Sequence, residues 1–118
     1  MSLDLSTLAL GAWPHALETD LRYGDTDRQG HVNNAVYATL FEFGRTQLFA
    51  TDLSSLVAPG REPVLARIAI DYRRELHWPG RVIATTAVLS TGRTSARFAQ
   101  AIYAAGGALA ASGEAVVV

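Results

Sequence analysis

The sequence contains no cysteine in 118 residues. Disulfide bonds, zinc–thiolate sites and a cysteine nucleophile are therefore excluded, and a reducing compartment such as the cytoplasm is the simplest context. An excess of charge of one sign is also missing, because ten Lys and Arg stand against eleven Asp and Glu. A formal net charge of −1 gives the chain no general attraction to nucleic acid or anionic lipid. We expect neither as a partner.

Long hydrophobic runs are missing as well. The N-terminal sequence MSLDLSTLALGAW carries an early Asp4 and no basic segment, so it is not typical of a signal peptide or a membrane span. No repeat, low-complexity segment or linker divides the chain. Its length suits one domain, and 49% hydrophobic residues supply ordinary core material. We therefore expect a single cytoplasmic domain over residues 1–118, without a membrane partner.

Two periodic segments occupy the first half of the chain. Alternation of apolar and polar residues predicts a half-buried strand at 15–23, with Tyr23 on its inward face. Apolar residues at three- and four-residue spacing predict a helix at 35–50. Asn33 or Asn34 is a suitable N-cap for that helix.

The helix carries one glycine and two opposite charges of structural interest. Gly44 weakens an isolated helix, so we expect it to permit a close approach of the helix to a sheet. Glu42 and Arg45 fall three residues apart on the polar side, where they are expected to form an ion pair.

The second half of the chain predicts only strands. A loop at 51–63 precedes them. The predicted strands are 64–72, 81–90, 95–104 and 108–118, arranged as an antiparallel meander. The element order is β-α-β-β-β-β, an α+β fold with a five-stranded antiparallel sheet. One helix covers one face of such a sheet and leaves the other uncovered, so we expect self-association.

The densest polar cluster, YGDTDRQGHVNN, spans residues 23–34 between the first strand and the helix. Asp25 and Asp27 begin a calcium-loop pattern, but the twelfth position is Val36, where a bidentate Glu is required. A calcium site is therefore not expected. A purely structural turn, in which Asp and Asn bind backbone N–H groups and cap the helix, remains open.

A transition-metal site in the same cluster would use Asp25, Asp27 and His31. The cluster lacks a second imidazole, and His15 and His77 lie on separate segments of the sequence. We therefore predict no metal.

The whole motif, Y-x-D-x-D-x-x-G-H-V-N-N-x-x-Y followed by F-E-x-x-R, resembles the hotdog-fold acyl-CoA thioesterases of the 4-hydroxybenzoyl-CoA thioesterase type. The element order, the segment 70–72, the turn 92–95 and the valine-rich last strand are also similar to that family. The resemblance implies a curled antiparallel sheet wrapped around one long helix. It further implies a homodimer or dimer of dimers with active sites at the subunit interface, and no cofactor.

The same resemblance implies catalytic roles. Asp27 corresponds to the catalytic carboxylate, which acts as a general base toward water or as a nucleophile through an anhydride. A backbone N–H at Asn34 or Ala35, at the helix N-terminus, would polarise the thioester carbonyl. His31 would orient the water or the carboxylate.

Substrate contacts are expected partly from the resemblance, for Tyr23, and partly from residue chemistry, for the basic and hydroxyl-bearing side chains near residues 61 and 93–95. The substrate-binding residues are expected to be Tyr23, Asn33, Arg61, Arg93, Thr94 and Ser95. Tyr23 would line the acyl pocket, and the turn at 93–95 together with Arg61 would meet the phosphates of coenzyme A. The HVNN sequence departs from relatives that carry aromatic residues and a histidine there, which favours an aliphatic acyl group.

The expected function is hydrolysis of an acyl-CoA thioester, or of its acyl carrier protein counterpart, to the free acid. Two alternatives remain open: a noncatalytic acyl-binding module on the same fold, and a hydratase or dehydratase on a hotdog scaffold. A serine hydrolase is disfavoured because no G-x-S-x-G elbow occurs.

Overall fold

The computed structural model describes residues 9–51, 53, 54, 57 and 59–118. Residues 1–8, including Asp4, and part of the predicted 51–63 loop lie outside the described residues. The regular elements are β1 (His15–Asp20), α1 (Asn34–Ala50), β2 (Leu65–Tyr72), β3 (Arg81–Thr91), β4 (Ala96–Ala104) and β5 (Leu109–Val117). The predicted order of one helix and five strands is confirmed.

The strands form one antiparallel sheet in the order β1-β3-β4-β5-β2. Hairpins join β3 to β4 and β4 to β5, and Gly107 adopts φ 96° in the second hairpin turn. The predicted meander is wrong at β2, which pairs with β5 instead of β3. Because β1 occupies the outer edge of β3, the chain crosses from one edge of the sheet to the other through residues 73–80, the crossover segment.

The helix lies on one face of the sheet, against β3 and β4. The core between them contains Tyr37, Leu40, Phe41, Val82, Ala84 and Ile102. A Cβ atom at Gly44 would lie 2.8 Å from Oγ1 of Thr86 and 3.2 Å from Nε2 of Gln100. The predicted close approach of helix and sheet at Gly44 is confirmed.

Arg45 points toward the sheet and is only 5% exposed. Its guanidinium donates to Oε1 of Gln100 at 3.0 Å, and Nε2 of Gln100 donates to the carbonyl of Phe41 at 2.9 Å and to Oγ1 of Thr86 at 3.1 Å. Burial lowers the pKa of Arg45, against the opposing influence of Glu42. The predicted Glu42–Arg45 ion pair is wrong, because a polar partner on β4 draws Arg45 into the interface while Glu42 stays exposed.

The other face of the sheet has its own apolar cluster. It contains Trp13, Ile83, Ala87, Leu89, Ala99, Ala101 and Tyr103. Nε1 of Trp13 donates to the Tyr103 hydroxyl at 2.8 Å, and Leu10 packs against the same cluster, so residues 10–13 lie against this face. The expectation of an uncovered face is therefore wrong in part, because the sequence gives the segment before β1 no periodic signal.

The two edges of the sheet are β1 and β2. Apolar side chains on and beside β2 are exposed, at Val64, Leu65 and Tyr72. A free edge with exposed apolar residues is a surface that proteins usually pair or cover. No helix in the described ranges is long and apolar enough to cross a membrane.

Candidate active site

Residues 21–33, the motif loop, join β1 to α1. Two backbone hydrogen bonds tie its ends to the crossover segment: Leu21 donates to Gly80 and Val32 donates to Leu76, both at 2.8 Å. These bonds fix the loop beside the N-terminus of α1.

Asp25 shapes the motif loop from within. Its buried carboxylate accepts from the Arg22 backbone N–H at 2.8 Å and from Nε and Nη2 of Arg22 at 3.2 and 2.9 Å. The Asp25 carbonyl accepts from the N–H of Asn33 at 2.8 Å. Both carboxylate oxygens of Asp25 are therefore committed to holding the loop.

Asp27 is held differently. Its Oδ1 accepts from the backbone N–H groups of Gln29 at 2.8 Å and His31 at 3.1 Å. Its own N–H donates to the His31 carbonyl at 2.7 Å, and Gly30, at φ 83°, completes the turn. Within the described part of the chain, Oδ2 of Asp27 receives no hydrogen bond. One oxygen anchors this half-buried carboxylate and the other is open.

The helix N-terminus is capped by Asn33. Its Oδ1 accepts from the N–H of Ala35 at 3.0 Å, and its carbonyl accepts from Val36 at 2.9 Å. The N–H of Ala35 was one of two expected donors to the thioester carbonyl, but it already donates to Asn33. The N–H of Asn34 meets no acceptor among the described residues, while the Asn34 carbonyl accepts from the Tyr72 hydroxyl at 3.0 Å. The unpaired donor at the helix start is therefore that of Asn34.

A second imidazole lies beside His31. His31 and His77 form an isolated antiparallel bridge, with ring centroids 5.2 Å apart. Oε2 of Glu75 lies 3.2 Å from Nε2 of His31 and 3.7 Å from Nε2 of His77. The prediction that the motif lacks a neighbouring imidazole is wrong, because the crossover segment runs along the motif loop. Sequence spacing carries no signal for a contact between segments so far apart.

Tyr23 does not point inward. The strand β1 ends at Asp20, and Tyr23 begins a 3-10 turn in which its side chain is 73% exposed. Its ring packs edge to face on Trp78 at 5.2 Å. The alternation that predicted an inward Tyr23 ends with the strand, and Leu21 is the last residue of the pattern to be buried.

The remaining predicted binding residues lie at the opposite end of the helix. Arg61, Arg93, Thr94 and Ser95 line a groove of about 410 Å³ together with Phe49, near the end of α1. We call this the arginine groove. A helix of 17 residues is about 25 Å long, and it separates the arginine groove from the motif loop within one chain. The structure thus assembles the predicted residues into two groups and does not join them.

The comparison with protein families settles the class of the chain. The model of the thioesterase-like superfamily matches residues 21–118, which begin with the motif loop. The chain belongs to the thioesterase-like superfamily. No curated protein matches it at a significant level. Membership of this family assigns the chain to the enzymes that hydrolyse thioesters.

Solved structures similar to this thioesterase-family chain include a thioesterase from Thermus thermophilus, complexed with coenzyme A and zinc. It is 31% identical with a TM-score of 0.78, and the match covers 90% of this chain and 83% of that one. A candidate acyl-CoA thioesterase from Xanthomonas campestris is 29% identical with a TM-score of 0.77, over 88% and 90%. A thioesterase-superfamily protein from a Jannaschia species is 26% identical with a TM-score of 0.81, over 91% and 69%. The expected hotdog architecture, a five-stranded antiparallel sheet with one helix, is confirmed.

Proposed function

We propose that the protein hydrolyses acyl-CoA thioesters to a free acid and coenzyme A. The observation that carries this proposal is the Asp27 carboxylate, which is anchored through Oδ1 and open at Oδ2 on the motif loop of a thioesterase-family chain. The reaction needs a group that delivers oxygen to the carbonyl and a donor that stabilises the oxyanion. Asp27 is the candidate for the first role, and the Asn34 N–H at the helix N-terminus is the candidate for the second.

Two routes are compatible with this arrangement. As a general base, Oδ2 of Asp27 takes a proton from water while the water oxygen attacks the thioester carbonyl. As a nucleophile, Oδ2 attacks the carbonyl itself, and water then hydrolyses the resulting anhydride. In both routes the coenzyme A thiolate leaves and receives a proton. His31 acts as a positioning residue, because its backbone N–H holds Oδ1 of Asp27.

The carrier is proposed from the arginine groove. Arg61 and Arg93 offer guanidinium groups, and Thr94 and Ser95 offer hydroxyls, which together suit phosphate oxygens. Coenzyme A and the phosphopantetheine arm of acyl carrier protein both carry phosphate. The similar thioesterase from Thermus thermophilus is complexed with coenzyme A, which supports coenzyme A as the carrier. For the acyl group we propose an aliphatic chain, because the HVNN sequence replaces aromatic residues at this position.

The site is proposed to be completed between two protomers. The helix α1, about 25 Å long, lies between the motif loop and the arginine groove in one chain. One substrate would therefore meet both more readily across a subunit interface. The exposed apolar edge at β2 offers a surface through which two sheets can pair. We expect sedimentation to show a homodimer or a dimer of dimers. A monomer at micromolar concentration with full activity would contradict the shared site.

The experiment that tests the function measures free thiol released from saturated acyl-CoAs of increasing chain length, with an acyl carrier protein thioester in parallel. A hydrolase releases thiol in multiple turnovers. A noncatalytic binding module would retain acyl-CoA without release, and a hydratase would instead change the absorbance of an enoyl-CoA. Thiol release from none of these substrates would overturn the proposal.

A further inference from the structure

We infer that His31, Glu75 and His77 form a binding site for a divalent transition-metal ion, with Zn²⁺ as the best match. The site lies between the motif loop and the crossover segment. It is independent of the proposed thioester chemistry, in which His31 takes part through its backbone.

The ligand atoms lie close to the spacing that a tetrahedral ion requires. Oε2 of Glu75 is 3.2 Å from Nε2 of His31 and 3.7 Å from Nε2 of His77, and candidate ligand atoms of all three residues lie within 4.8 Å of one another. An ion bound to nitrogen and oxygen at about 2.0–2.1 Å keeps tetrahedral ligand atoms about 3.3–3.5 Å apart. The Glu75 and His77 side chains are 64% and 60% exposed, so they are free to make the small remaining movement.

The backbone explains why these three side chains converge. His31 pairs with His77 across the antiparallel bridge. Next to that bridge, the N–H of Val32 donates to the carbonyl of Leu76. Glu75 and His77 are exposed on either side of the buried Leu76, and their ligand atoms converge with that of His31. Two backbone segments therefore present three ligands on one surface.

A backbone carbonyl favours one orientation of the His77 ring. Its Nδ1 lies 3.3 Å from the carbonyl oxygen of Gly30. A proton on Nδ1 donated to that carbonyl leaves the lone pair on Nε2, the nitrogen that faces Glu75. A metal-ligating histidine almost always donates its other ring N–H to such an acceptor. This contact is an observation separate from the clustering of the three side chains.

The donor set selects the kind of ion. Two imidazoles and one carboxylate suit zinc and neighbouring transition metals, whereas Mg²⁺ and Ca²⁺ prefer oxygen ligands. Three protein ligands leave one coordination position for water. Ion binding would clamp the motif loop to the crossover segment, beside the turn that holds Asp27.

The test is calorimetric titration of the full-length, chelator-treated protein with ZnCl₂ and, separately, with MgCl₂. We expect one Zn²⁺ per chain and no binding of Mg²⁺. Glu75→Gln and His77→Ala should each weaken Zn²⁺ binding by about 100-fold or more, since they remove ligands and not merely outer-shell partners. His15→Ala changes a histidine on β1, away from the cluster, and serves as the matched control with unchanged binding.

A second readout detects the site without calorimetry. At a Zn²⁺ concentration tenfold above the dissociation constant, linkage raises the Tm of a domain of this size by about 4–8 °C, and His77→Ala should abolish the rise. Co²⁺ should give the visible absorption of a four-coordinate site in the wild type and in His15→Ala, but not in the Glu75→Gln/His77→Ala double variant. The inference is overturned if Zn²⁺ binds the Glu75→Gln/His77→Ala double variant as tightly as the wild type, or if His15→Ala removes binding. Neither readout measures thiol release. A negative result for Zn²⁺ binding therefore leaves the proposed thioester hydrolysis unaffected.

Discussion

The two ends of α1 hold their polar residues in opposite ways. At the N-terminal end, the carboxylates of Asp25 and Asp27 each accept hydrogen bonds from groups fixed in the motif loop. At the other end, Arg61 and Arg93 are exposed, and neither guanidinium makes a hydrogen bond to the residues that the structure describes. Bond making requires a group held at a fixed orientation, whereas attraction of a phosphate requires only nearby charge. The first end is expected to govern kcat and the second KM.

The largest expected effect tests the motif loop. Asp27→Asn should lower kcat by about 10²- to 10⁴-fold, because the amide keeps an oxygen for Gln29 and His31 but cannot take a proton or attack a carbonyl. Its Tm should stay close to that of the wild type. Steady-state thiol release and thermal melting measure the two quantities.

Asp25→Asn is the matched control, since both of its oxygens bind Arg22. Its amide group would face the guanidinium as a second donor, so stability should fall by about 1–3 kcal/mol while the folded fraction keeps its kcat. If Asp25→Asn is the inactive variant and Asp27→Asn retains more than about a tenth of kcat, the assignment of the carboxylates is wrong.

The next largest effect concerns Gly44, which lies between the two ends of α1. Gly44→Ala gains helix propensity of about 1 kcal/mol but places a methyl group 2.8 Å from Oγ1 of Thr86. Gln100 cannot move aside without losing its bonds to Thr86 and Phe41, so the net result should be destabilisation of about 1–3 kcal/mol in chemical unfolding. Gly106→Ala, with nothing within 4 Å, is the control. A change in kcat or KM of folded Gly44→Ala would show that the two ends are coupled through the helix.

The smallest effect tests the arginine groove. Arg93→Ala should raise KM for acyl-CoA by about tenfold at low ionic strength with little change in kcat, because a phosphate contact persists from ground state to transition state. Added salt should raise the wild-type KM in the same direction. Arg97→Ala removes an arginine that pairs with Glu114 at 3.1 Å and does not line the groove, so its KM should be unchanged. Equal KM values for both variants would remove the arginine groove from the substrate path.

Local signals explain the parts of the fold that the sequence predicted well. The helix was expected at 35–50 and occupies Asn34–Ala50, because spacing and an Asn33 cap act within one or two turns. Strand limits followed from alternation and turn residues for the same reason. The pairing of β2 with β5 depends on where β1 lies, and Arg45 is buried because Gln100 stands opposite it. Neither the strand pairing nor the burial of Arg45 can be predicted from a short stretch of sequence.

The candidate site divides in the same way. The motif places Asp27, His31, Asn33 and Asn34 near one another because they are close in sequence. His77 and Glu75 join them only through the crossover segment, whose path along the motif loop is a tertiary contact. Arg61 and Arg93 were assigned to the substrate from residue type alone. Residue type does not indicate how far a side chain lies from the motif loop, and the structure places both arginines near the other end of the helix.

The two tryptophans lie in contrasting surroundings. Trp13 is buried against Tyr103, whereas Trp78 is exposed and packs on Tyr23 next to His77. Indole fluorescence shifts to longer wavelength and becomes open to aqueous quenchers as the ring meets water. Iodide should therefore remove the red part of the emission, from Trp78, and leave the blue part, from Trp13. The protein carries an optical reporter of the motif loop together with an internal reference on the other face of the sheet.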